Sequence, residues 1–252
     1  MMRWMVLAGF FAVASGCSNG ATNEQQTSFS DAEAAFAAAQ STEDYLRVAG
    51  TYQRLLDEGL RSSTVLCNQG NAFMRAEQPG RAIACYRQAL RLSPWQSAVR
   101  SNLGSALLKT GGSNPPTDWF RRIVFWHDWV GYRGKYFLAT FGVLLAAGLL
   151  LLAKWRRSSF VQRIGLCVSA FALVCILSAL YDWHRFSKPV GVVVQAETVA
   201  RTGNGIAYEA AFEEPLREGT ELDVLETRGD WLRVELRDRG ECWLLSDAVL
   251  VY

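Results

Sequence analysis

Two histidines and six cysteines are the side chains in this 252-residue chain that could bind a metal or attack an electrophile, and their placement argues against both. Cys17 follows Ala14-Ser15-Gly16, and Cys167 and Cys175 lie inside uncharged apolar runs. That leaves Cys67, Cys85 and Cys242 for exposed thiol chemistry. No cysteine pair has CxxC spacing, and His127 and His184 each follow a tryptophan at the edge of an apolar region. A structural zinc site needs four clustered ligands, and a cysteine nucleophile needs a neighbouring base. No catalytic residue, metal ligand or cofactor is therefore expected. A membrane enzyme built on the two histidines is the weaker alternative, because wet polar residues at an interface account for them.

The elements around these residues fall into three charge regimes. Residues 18–116 carry nine Lys and Arg against eight Asp and Glu, residues 117–188 ten against three, and residues 189–252 six against thirteen. Arg3, an apolar run from Trp4 to Ala14 and small residues before Cys17 have the anatomy of a signal peptide over 1–16. Ala14-Ser15-Gly16-Cys17 also resembles a lipobox. Cys17 is therefore a lipidation candidate, the other reading being ordinary cleavage beside an incidental cysteine. Tyr136 to Ala153 and Ile164 to Tyr181 are each 18 residues without a charge, just long enough to cross the hydrocarbon core, and are expected to be transmembrane helices. The connection 154–163 holds four positive charges and no negative one, which predicts a cytoplasmic loop with both large flanks outside. Within 117–132, Trp119, Ile123, Trp126 and Val130 recur at helical spacing. That segment reads as an amphipathic helix in the outer interface or as a short packed helix before the membrane.

From Ser63 a 34-residue unit carries Leu66, Gly70, Phe73, Ala82, Tyr86, Ala89 and Pro94 at the signature positions of the tetratricopeptide pattern. Gly70 and Ala82 let two helices approach, Phe73 and Tyr86 fill the space beside them, and Pro94 stops the second helix. Leu103-Gly104 opens a further unit that Gly111-Gly112-Ser113-Asn114-Pro115-Pro116 interrupts, so its helix reads as a cap. Asp31 to Gln40 and Thr42 to Gly59 form a degenerate unit upstream, giving a repeat domain over 28–112. Arrays of this kind bind extended peptides in a concave groove. Its expected peptide-binding positions are Cys67, Asn71, Arg75 and Asn102. Asn71 and Asn102 match two positions of a carboxylate clamp whose lysines are missing, and Asn102 also reads as the common polar residue before Leu-Gly.

Past Pro189 the pattern changes to short β-branched runs, Val190 to Val194, Glu221 to Glu226, Trp231 to Leu236 and Glu241 to Leu245, separated by turn residues. Gly229-Asp230-Trp231-Leu232 and Cys242-Trp243-Leu244 resemble a bacterial SH3-type domain over 189–252, with Trp231 and Trp243 as its expected core tryptophans. Ala179-Leu180-Tyr181-Asp182-Trp183 imitates an SH3 opening but belongs to the second apolar segment. The acidic tail argues against nucleic-acid partners.

The expected fold class is a multidomain membrane protein with an all-α tetratricopeptide-repeat domain, two transmembrane helices and an all-β SH3-like barrel. Leu56-Asp57-Glu58-Gly59, Asn68-Gln69-Gly70-Asn71-Ala72-Phe73 and the run Ala82 to Pro94, in this order of segments, resemble BatE proteins of aerotolerance operons. Gln69 and Cys67 stand where that family tends to have Leu and an aromatic residue. The resemblance implies partnership with von Willebrand A-domain membrane proteins and a MoxR-type ATPase in envelope maturation or stress tolerance, at the bacterial cytoplasmic membrane with both domains periplasmic. The function expected is a non-enzymatic scaffold for protein partners, and the alternative is a cell-wall-binding sensor acting through the SH3-like domain.

Overall fold

The computed structural model of the chain describes residues 23–112, 132–186, 189–237 and 239–252. The signal peptide, Cys17, His127 and nearly all of the interfacial segment 117–132 lie outside them. Five helices come first: α1 (Asn23–Ala38), α2 (Thr42–Asp57), α3 (Ser63–Arg75), α4 (Pro79–Leu92) and α5 (Ser97–Thr110). Two long helices follow, α6 (Tyr132–Arg156) and α7 (Ser159–Phe186), and then strands β1 (Val190–Val193), β2 (Glu221–Arg228), β3 (Trp231–Leu236), β4 (Gly240–Leu245) and β5 (Val249–Val251).

Helix boundaries follow local chemistry. Ser41 accepts from the Asp44 amide at 3.1 Å while the Asp44 carboxylate accepts from the Ser41 amide at 3.2 Å, a reciprocal cap that starts α2. That bonding to the charged form holds the Asp44 carboxyl below its ordinary range. Pro79 opens α4, where its missing N–H costs nothing. Gly111 closes α5 in the left-handed conformation at φ 73°. The first helix begins at Asn23, upstream of the degenerate unit read from Asp31. Its Ala32 packs with Tyr52, Leu55 and Val65 in a first core.

Between α3 and α4 the helices close to contact because Gly70 has no side chain. A Cβ there would lie 2.6 Å from Tyr86 Cε1. Gly104, one repeat further on, would meet nothing within 4 Å. Among the described residues the face of α5 that carries Gly104 is uncovered, as in a cap. Gln69, buried at 3 % exposure, joins three helices: it donates to the Ala49 carbonyl and to Gln53 Oε1, and accepts from Cys85.

Helices α6 and α7 are long and apolar enough to cross a membrane, and only 22 % and 17 % of their most apolar stretches is buried. The core helix of a soluble domain would be mostly covered. They pack on each other: Ala139, Ala146 and Ala153, seven residues apart, are buried on α6, Ala172 and Cys175 are buried on α7, and a Cβ on Gly142 would lie 3.0 Å from the Ala172 methyl. Small residues at such spacing let two apolar helices meet along a shared seam. The connection expected over 154–163 is itself mostly helical: α6 runs to Arg156, α7 starts at Ser159, and Arg157-Ser158 makes the turn. Ala179 to Trp183 lies in α7.

The sheet is antiparallel in the order β4-β3-β2-β1-β5. β2 is bulged between Val224 and Glu226. The assigned strands leave β4 and β5 as edges, and β4 gains a bridge from Arg201 to Trp243 outside the named strands. β5 was not among the strands expected from sequence, although Val249-Leu250-Val251 is a β-branched run. The core is made by Val193, Leu222, Val224, Leu232, Val234, Leu236, Cys242, Leu244 and Val249. This corrects the assignment of Trp231 and Trp243 to it. Side chains alternate between faces along a strand, and Leu232, Val234, Cys242 and Leu244 take the inward positions. Both tryptophans are half-buried on the other face, with the Arg228 guanidinium 5.6 Å above Trp243.

Gly70→Leu is expected to lower stability by roughly 1–3 kcal/mol or more, because the Tyr86 ring has nowhere to move. Gly104→Ala should leave stability unchanged or raise it by about 0.5–1 kcal/mol through helix propensity. Urea unfolding followed by circular dichroism measures both, and equal losses at the two glycines would contradict this packing.

Candidate functional site: the repeat groove and the domain contact

Helices α1, α3 and α5 line one side of the array, where Phe36, Asn71, Met74, Arg75, Tyr86, Asn102 and Ser105 surround a groove of about 410 Å³. Its floor is a polar network. Tyr86, 1 % exposed, donates its hydroxyl to Asn71 Oδ1 at 2.8 Å, and Asn102 Nδ2 donates to the same oxygen at 2.9 Å. Asn102 Nδ2 also lies 4.0 Å from Cys67 Sγ. The structure thus brings Cys67, Asn71 and Asn102 together, with Arg75 on the rim. Asn71 has a role that sequence reading did not give it, since it belongs to the bonding that holds Tyr86 in place. A buried hydroxyl that loses its acceptor costs about 1–3 kcal/mol, so Asn71→Ala would perturb the fold as well as the groove surface.

Arg75 is exposed and forms no ion pair among the described residues. The thiols nearby are quiet. Burial pushes Cys85 up to about 12 against the weaker opposing charge of Arg81, and burial likewise raises Cys67, opposed by its Asn102 contact. Burial pushes Cys242 up to about 11. A thiolate is the reactive form, so none of the three is primed for nucleophilic attack. Among the described residues no three His, Cys, Asp or Glu side chains are grouped to hold a metal. His184 falls in α7.

The other side of α4 carries a contact that the sequence analysis did not find. Arg87 grips Glu221 with both ends of its guanidinium, Nε to Oε1 at 2.5 Å and an Nη to Oε2 at 3.0 Å. The pair is 25 % and 17 % exposed. The Gly80 amide donates to Glu218 Oε1 at 2.7 Å, and a Cβ on Gly80 would lie 2.6 Å from the Val193 carbonyl. Arg91 stacks over the Tyr252 ring at 4.9 Å, and burial raises the Tyr252 hydroxyl above its ordinary range. Val192 joins the core of Leu66, Ile83, Val99 and Leu107, with Leu250 and Tyr252 against it. The sheet therefore covers α4 and supplies apolar surface to the last full repeat. A signal for this was present: α4 has three arginines and no acidic residue, and the acidic excess of the chain is in 189–252.

Taken together, the elements define a helical-repeat protein with two candidate membrane helices and a small antiparallel sheet domain. Residues 63–94, which are α3, α4 and the turn around them, match the family model of the tetratricopeptide repeat. No curated protein matches the chain. Tetratricopeptide repeats are typically modules for protein–protein interaction rather than catalysis.

Arg87→Ala and Glu221→Ala should each destabilise the chain, and a double-mutant cycle should show a coupling of about 1–3 kcal/mol, as for a bidentate, partly buried charged pair. Additive losses in urea unfolding would show that the two domains do not hold each other through this pair.

Proposed function

We propose that the chain is a non-enzymatic, membrane-anchored scaffold that binds a protein partner in the groove lined by Asn71, Arg75, Asn102 and Cys67. The observation that supports this most is the contrast between the two sides of the array. One side is taken by the β domain through Arg87, Gly80 and Arg91, whereas among the described residues the groove is open and the Arg75 charge on it has no ion-pair partner. The β domain reads as an SH3-like barrel, and the order of segments resembles BatE proteins. On that resemblance the partners are von Willebrand A-domain membrane proteins and a MoxR-type ATPase complex.

Both domains lie on the outer side of the cytoplasmic membrane in this reading. Their mutual contact requires one side for the two, and two crossing helices joined by a short turn deliver that arrangement. Lys154, Arg156, Arg157 and Arg163 around the turn favour the cytoplasm for the turn itself.

Photo-crosslinking in native membranes tests the groove. A benzoylphenylalanine at Ser105 should give a defined protein adduct, and one at Arg54 or Ser246 should not; adducts from Ser246 alone would move binding to the β domain. Orientation is tested separately with cysteines introduced at Ser158 and Ser246. An impermeant maleimide should label the second in intact cells and not the first, and the reverse pattern means the chain is inverted.

A further inference from the structure

At the groove floor the Asn71 carbonyl is already occupied, whereas the charge on the rim has no ion-pair partner among the described residues, and this difference bears on what the groove can recognise. Asn71 Oδ1 accepts from both Tyr86 and Asn102, so the Asn102 amide that would have reached a ligand is turned inward. A free terminal carboxylate is best held by several converging charged donors, and the floor offers only the neutral amide N–H groups that this bonding leaves on Asn71 and Asn102. What stays available at the rim is the exposed Arg75 guanidinium. Phe36 from α1 and Met74 from α3 are half-buried apolar walls beside it. Methionine and an aromatic edge adapt to varied apolar side chains. The volume of about 410 Å³ is in the range of small-ligand sites and suits a few side chains rather than a helix.

We infer that the groove takes an internal, extended segment of a partner protein, with an apolar side chain against Phe36 and Met74 and an Asp or Glu within two residues of it paired to Arg75. In an extended chain, residues two apart face the same way, so both anchors can point into the groove together. The inference rests on the groove reading above and adds the chemistry of the occupant. Charge complementarity carries it: among the described residues the one charge on the lining, Arg75, is positive and has no ion-pair partner, and the walls beside it are apolar.

The experiment pans a library of random nonapeptides, displayed between flanking sequences so that no free carboxyl end is present, on the full-length protein in nanodiscs. Selected clones should carry an acidic residue within two positions of Leu, Met or Phe. They should be lost on Ser105→Trp, which fills the groove, and on Met74→Glu, a second block, with circular dichroism confirming that each variant keeps its helices. A selected peptide made synthetically with both ends blocked should bind Arg75→Ala about fivefold to tenfold more weakly. Panning on Arg75→Glu should replace the acidic position with Lys or Arg. Groove-dependent clones with no acidic preference, or an unchanged selection on Arg75→Glu, would overturn the inference and leave the groove reading standing. Enrichment only from a parallel library with free carboxyl ends would overturn it in favour of a terminal clamp. If no clone depends on the groove in either library, the groove reading falls as well.

Discussion

Helix α4 is packed along both sides, and the repeat array and the sheet depend on that. Toward α3 it presents Ala82, Tyr86 and Ala89, with the Tyr86 ring lying where any side chain on Gly70 would have to be. Toward the sheet it presents Gly80, Ile83, Arg87 and Arg91. A helix of 14 residues with eight buried leaves little surface for anything else. The polar ends of its side chains are used with the same economy. The Tyr86 hydroxyl fixes Asn71, which fixes Asn102 on the next helix, so the groove floor inherits its geometry from the packing beneath it.

This arrangement answers a difficulty in a short repeat array. Repeats bury their apolar faces by stacking on neighbours, and terminal units need a cap. α5 supplies half of one. The sheet supplies more, through Val192, Leu250 and Tyr252 against the α4 and α5 core. Chain connectivity makes that possible only through the helical pair between them. α6 and α7 carry the chain away and bring it back, so an element at the far end of the sequence can close an array near its beginning. The cost of joining such distant segments grows only slowly with the length of the connection, and an ordered helical hairpin constrains it further.

What the sequence made legible follows from how local each signal is. The repeat signature is a set of residue sizes at fixed spacing, and Gly70, Ala82 and Tyr86 occupy the close-packed positions read from it. The two apolar helices are legible from length and the absence of charge. Strands β1 to β4 emerge within a few residues of their sequence bounds. The failures come from information that spacing does not contain. Trp231 and Trp243 look like core by size, yet the face a strand buries is set by its partners, and the smaller Leu232, Val234, Cys242 and Leu244 are inside. Asn71 and Asn102 look like free groove residues on a helical wheel, yet they bond to each other and to Tyr86. The Arg87–Glu221 pair spans 134 residues, and nothing local to either end specifies the other.

The same long-range contact constrains how the protein can act. With the β domain held to α4 by a two-pronged ion pair, a hydrogen bond from the Gly80 amide and a stacked arginine, the groove and the sheet keep a fixed relation. Rigid placement lowers the ordering cost that a binding surface has to overcome when a partner arrives. A partly buried pair of this kind contributes little net stability compared with apolar contacts of the same size, but it penalises any arrangement that separates its members. Its value here lies in specifying one way for the sheet to sit on α4. In that single arrangement no described residue outside the array covers the groove on the side facing away from the sheet, and Arg75 stands on its rim.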